Sequence, residues 1–182
     1  MLLCLNTKGA QGEAERDAGG PNRFTRGRFP TDLRNAEMSV RLRGELLERG
    51  AKMVLLIQAS VDGVVSGWLL TGQPIAVREE WATQTIRLVP EAAQWTPLGV
   101  RHDRGDMYGE RPLERVLADV NVNIMFVMFP LDIEPMGPIA GDRHRLRPEK
   151  DYPVWRSRLP EGYIEIDEIS VDFDDDPGQT PD

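Results

Sequence analysis

Two segments of this sequence concentrate the residue types that recognise a polar ligand. The first is Arg101-His102-Asp103-Arg104-Gly105-Asp106-Met107-Tyr108-Gly109, whose glycines and mixed charges mark an exposed turn. The second, 130–162, carries Asp142, Arg143, His144, Arg145, Arg147, Asp151, Tyr152, Trp155 and Arg156. A flat aromatic ring stacks on the apolar face of a sugar while guanidinium and carboxylate groups bond its hydroxyls. On that chemistry the candidate ligand contacts are Arg101, Asp106, Tyr108, Arg143, His144, Tyr152 and Trp155. Both segments also have a plainer reading. Residues 101–109 form a solvated, self-paired loop, and Tyr152 and Trp155 pin the longer segment onto the core.

Other chemistry finds less support. His102, Asp103, Asp106, Asp142 and His144 are metal-binding types, but there is no HxH, no HExxH and no histidine run with a following glutamate. Glycoside hydrolysis needs two carboxylates roughly 5–10 Å apart across a cleft. Glu79 with Glu80, Asp132 with Glu134, and Glu165 with Asp167 are the available pairs. The last pair shares a strand face about 7 Å apart, as any i, i+2 pair does. No G-x-S-x-G, phosphate loop or dinucleotide fingerprint is present. The lone Cys4 excludes an internal disulfide framework and makes no zinc site by itself.

The elements that must position these groups follow from patterning. With 182 residues, 40% hydrophobic and 29% charged, the composition is that of one globular domain. A net charge of −8 works against nucleic-acid binding, which wants a basic face. Met1-Leu2-Leu3-Cys4-Leu5 has no basic leader and too short an apolar run for a signal peptide, and no stretch reaches the length of a membrane span. The chain is therefore expected to be soluble. Residues 1–30 are glycine-interrupted and without a period, so they are expected to be disordered or irregular. The acidic tail 174–182 is expected to be disordered, which leaves 31–173 as the domain.

Within 31–173 the dominant period is two. In Glu37–Glu45, Met38, Val40 and Leu42 alternate with Ser39, Arg41 and Arg43, as in a half-buried strand. Met53-Val54-Leu55-Leu56-Ile57 is continuous enough for a strand covered on both faces, with 43–50 a linking loop or helical turn. Strands are expected at 68–70, 75–81 and 83–89, the first two divided by the turn signal Thr71-Gly72-Gln73-Pro74. Pro112 suits the first position of a short helix burying Leu113, Val116, Leu117 and Val120. Residues 121–129 are apolar on both faces, which predicts a central strand. In 163–173, Ile164 and Ile166 have one parity and Ile169, Val171 and Phe173 the other. A bulge near Asp167-Glu168 would bring all five to the core. Trp68, Trp81 and Trp95 are expected to pack as core or rim, and Trp155 is the platform candidate. Seven or eight strands with one helix make an all-β antiparallel sandwich.

Three stretches resemble the jelly-roll (galactose-binding-like) superfamily of carbohydrate-binding modules, across 32–173. They are Glu80-Trp81-Ala82-Thr83-Gln84-Thr85-Ile86-Arg87-Leu88 followed by Trp95-Thr96-Pro97-Leu98-Gly99; Leu113-Glu114-Arg115-Val116-Leu117-Ala118-Asp119-Val120 leading into 121–129; and Tyr163-Ile164-Glu165-Ile166-Asp167-Glu168-Ile169-Ser170-Val171. The resemblance implies a noncatalytic module for a carbohydrate or similar polyhydroxylated ligand. It also implies a structural calcium on the closing-strand aspartate, here Asp167. The N-terminal region supplies no matching acidic partner, and 130–162 is longer than the family's connection. A protein-interaction domain and a glycan-active enzyme on the same scaffold stand as alternatives.

Overall fold

The computed structural model describes residues 3–6, 29–97, 111–130 and 160–173. In chain order the elements are β1 (Leu3–Asn6), β2 (Glu37–Leu47), β3 (Ala51–Val61), β4 (Val64–Leu69), β5 (Ala82–Arg87), β6 (Thr96–Pro97), the single-turn helix α1 (Leu113–Leu117), β7 (Asn123–Pro130) and β8 (Glu161–Asp172). A 3₁₀ turn, Ala92–Gln94, precedes β6. The strands form two antiparallel sheets, ordered β1-β7-β3-β4-β6 and β5-β2-β8, packed as a sandwich.

Alternation explains the packing. Met38, Val40 and Leu42 of β2 face Met53, Leu55 and Ile57 of β3 and Phe126 of β7 in one continuous core. Trp68 and Trp95 are buried there as expected, and each indole has a partner. Trp68 Nε1 donates to the Arg111 carbonyl at 3.0 Å and Trp95 Nε1 to that of Val89 at 2.9 Å. The other face of β3 is buried as well, with Val54, Leu56 and Leu69 joined by Met125 and Val127. The two apolar runs at 53–57 and 121–129 are thus the central, doubly covered strands. The Asp62-Gly63 turn between β3 and β4 holds both residues at positive φ (52° and 74°), the geometry of a two-residue hairpin with the right twist.

The phase change in the last strand is a bulge. Arg41 pairs with Glu168 and Leu42 with Ile166, so Asp167 has no partner in the ladder. Ile164, Ile166, Ile169, Val171 and Phe173 all pack against the core. The helix buries Leu113, Val116 and Leu117, with Val120 behind it. Pro112 sits one place before the first helical residue, as its cap. A polar clasp fixes the chain after α1: Thr31 Oγ1 donates to Asp119 (2.6 Å), Asn121 Nδ2 to the same carboxylate (2.9 Å), and Ser60 N–H to Asn121 (2.8 Å).

Three expectations are corrected. The expected link at 43–50 is mostly strand, since β2 continues to Leu47. Gly44 permits this, because a Cβ there would collide with the Tyr163 carbonyl of β8, and its N–H is taken by the Arg78 carbonyl at 2.6 Å. The expected strand at 75–81 shrinks to one bridge, Ile75 to Met53. Beyond it the Gln84 side chain bonds both the N–H (2.9 Å) and the carbonyl (2.6 Å) of Ala76, doing the work of a neighbouring strand. Finally, β1 pairs with β7 inside the stretch expected to lack structure. Residues 7–28 and the tail 174–182 lie outside the described residues.

Candidate functional site

The loop residues Arg101, Asp106, Tyr108, Arg143, His144, Tyr152 and Trp155 lie outside the described residues, but strand register places their points of attachment. Pro97, where 98–110 departs, pairs with Trp68, which pairs with Ile57. Pro130, where 131–159 departs, pairs with Ala51, and the chain returns at Glu161 opposite Leu47. Ile57 and Ala51 are six positions apart on β3, about 20 Å along a strand. The two loops thus spring from different levels of the sandwich.

The described residues present a different candidate, the solvent face of β5-β2-β8. Inward alternation of Met38, Val40 and Leu42 sends Ser39, Arg41 and Arg43 outward. The Arg41 and Arg43 guanidiniums each lie 4.8 Å from the centre of the Trp81 ring. Arg43 Nε donates to Glu165 at 2.5 Å, and Arg41 to Asp167. Along the strip, the Ser39 and Thr85 hydroxyls share a 2.8 Å hydrogen bond, Arg87 pairs with Glu37 at 2.7 Å, and Tyr163 stands 54% exposed beyond Arg43. Trp81 packs at the rim, 38% exposed, under two cations.

Pairing in this strip is weak in energy and strong in geometry. Ion pairs this exposed contribute about 0–1 kcal/mol each. Each cation–π contact at an exposed site adds about 0.5–1 kcal/mol. The pairs nonetheless hold the guanidiniums in place, with N–H donors and carboxylate oxygens still open to a ligand. An aromatic edge beside fixed donors and acceptors suits a hydroxyl-rich ligand. Arginines hold both Glu165 and Asp167, so neither carboxylate stands as a lone acid.

Asp167 was the calcium candidate. Its carboxylate faces Arg41, whose charge repels a cation, and among the described residues no three of His, Cys, Asp and Glu converge. Shifted ionisation occurs instead at two surface pairs away from the strip. The hydrogen bond from Arg34 holds the Asp32 carboxyl below its ordinary value, and the one from Arg115 does the same for Asp62.

The arginine–tryptophan strip is a site that the two loops did not announce. Its signal was nonetheless present in the complementary rows Arg41-Leu42-Arg43 and Glu165-Ile166-Asp167. Comparison of the chain with protein-family models, with curated proteins and with solved structures finds no match in any of the three.

Proposed function

We propose that this chain is a noncatalytic binding module of the jelly-roll, galactose-binding-like kind, which takes a carbohydrate or a similar polyhydroxylated ligand. The observation that carries the reading is the half-exposed Trp81 ring held among Arg41, Arg43, Glu165 and Asp167. The ring supplies a stacking edge and the paired charges supply oriented hydroxyl partners. Among the described residues, eight strands in two antiparallel sheets, with the chain crossing from one sheet to the other, support the jelly-roll assignment. In this reading the loops contribute Arg101, Asp106 and Tyr108 from one side and Arg143, His144, Tyr152 and Trp155 from the other.

A glycan array probed with the full chain and with Trp81→Ala and Trp155→Ala tests it. Binding to at least one glycan is expected, weakened about tenfold or more by one of the two substitutions. Loss with Trp81→Ala alone assigns the ligand to the sheet strip, and loss with Trp155→Ala alone to the long loop. Absence of binding to every glycan overturns the reading.

A further inference from the structure

The geometry points to the edge of β8 that no described strand pairs as a docking site for an extended segment of another polypeptide in which apolar and basic residues alternate. β8 is the outermost strand of its sheet, twelve residues long, and among the described residues only β2 pairs with it. An edge strand presents a row of unpaired N–H and C=O groups, and proteins commonly blunt such edges with proline or lysine. β8 contains neither; its charges are acidic and its one bulge lies at Asp167, which leaves Glu168–Asp172 in regular register with β2.

Its core-facing side is also incompletely covered. Met38, Val40 and Leu42 of β2 are 1% exposed or less, whereas Ile164, Ile166, Ile169 and Val171 of β8 are only partly buried. One more strand beyond β8 would pair its open backbone and close over this apolar row at the same time.

Charge selects the occupant. The outward side of β8 carries Glu165, Asp167, Glu168 and Asp172. A second copy pairing edge to edge would set carboxylates against carboxylates, which destabilises a ladder. β2 shows what β8 accepts on its other edge, because Arg41 and Arg43 with Leu42 between them meet Asp167, Glu165 and Ile166. Glu168 and Asp172 are exposed and have no ion-pair partner among the described residues, while Glu37 opposite Asp172 is bound to Arg87. A partner strand bearing lysine or arginine on one face and apolar residues on the other supplies both missing halves.

Fluorescence anisotropy with two short labelled peptides, valine alternating with arginine and valine alternating with glutamate, tests the proposal on the full chain. The arginine peptide is expected to bind and the glutamate peptide not. E168K/D172K should weaken binding about tenfold. The charge-matched control E79K/E80K, away from β8, should leave it nearly unchanged. Both altered side chains of E168K/D172K are exposed; E168K sets a cation opposite Arg41, so a melting temperature a few degrees below the parent's is expected and binding is read well below it. Equal binding of the two peptides, an equal effect of the control, or undiminished affinity in E168K/D172K overturns the proposal. So does a mass that doubles with protein concentration and is unaffected by the peptide, since the edge would then belong to a second copy.

Discussion

The two sheets use the same strand chemistry but are loaded differently. In the five-stranded sheet, β3 has neighbours on both edges and apolar side chains buried on both faces, Met53, Leu55 and Ile57 on one and Val54 and Leu56 on the other. In the three-stranded sheet, β2 buries one face only and turns arginines to solvent, and β8 leaves its core-facing row partly open. Each fully buried aliphatic side chain contributes about 1.5–3 kcal/mol, whereas an exposed ion pair contributes about 0–1. Stability is therefore concentrated in the five-stranded sheet. The three-stranded sheet is free to carry groups chosen for recognition.

The largest expected contrast is between an inner strand of the larger sheet and the edge strand of the smaller one. Phe126→Ala, at a fully enclosed position on β7, should lower the unfolding free energy by about 3–5 kcal/mol in urea titration. Ile169→Ala on β8 should cost about 1–2 kcal/mol, since that side chain is only partly removed from water. Equal costs would mean that β8 is as enclosed as β7, and the contrast between the sheets would fail.

A smaller effect is expected on the solvent strip. The double variant R41A/R43A removes two exposed ion pairs and both cations over Trp81, for a total of about 1–4 kcal/mol. Its fluorescence should change more than its stability, because Trp81 loses its two charged neighbours while the buried Trp68 and Trp95 keep their carbonyl partners. An unaltered emission spectrum would show that the stacking does not persist in solution.

The smallest effect concerns acid. Arg34 and Arg115 depress the carboxyl groups of Asp32 and Asp62, so the folded chain binds protons there less readily than the unfolded one. That contribution is fully present above the ordinary aspartate value of about 3.9 and is lost as pH falls through the lowered folded values. Thermal melts should show no loss from these two groups between pH 7 and about 5, and a modest one below about 4. Arg34→Gln with Arg115→Gln should flatten that modest loss. An unchanged acid slope would remove these pairs from the account.

Much of the fold was legible because burial imposes a period. The switch of parity between Ile166 and Ile169 predicts a bulge at Asp167-Glu168, and the register confirms that Asp167 is the unpaired residue. The doubly apolar runs at 53–57 and 121–129 predict central strands for the same reason. The errors fall where a local signal competes with a distant contact. The charges of 43–50 read as a link, yet β2 runs on through Gly44, where the backbone of β8 passes too close for a Cβ. The residues after Ile75 alternate like a strand, yet a glutamine side chain takes their hydrogen bonds.

The candidate site divides along the same line. Residue types in 101–109 and 130–162 mark polar recognition on composition alone, and nothing local relates the two segments. Only strand register shows that they spring from levels about 20 Å apart. The stacking of Arg41 and Arg43 on Trp81 joins positions about forty residues apart, and their carboxylate partners lie more than a hundred residues further on.

The sequence by itself determined the all-β architecture and the inward residues, since alternation every second position is a property of one strand and the water around it. The tertiary structure decided which strands became neighbours and which arginines met which acids. Those outcomes depend on pairing between segments distant in the chain, and no window of consecutive residues encodes them.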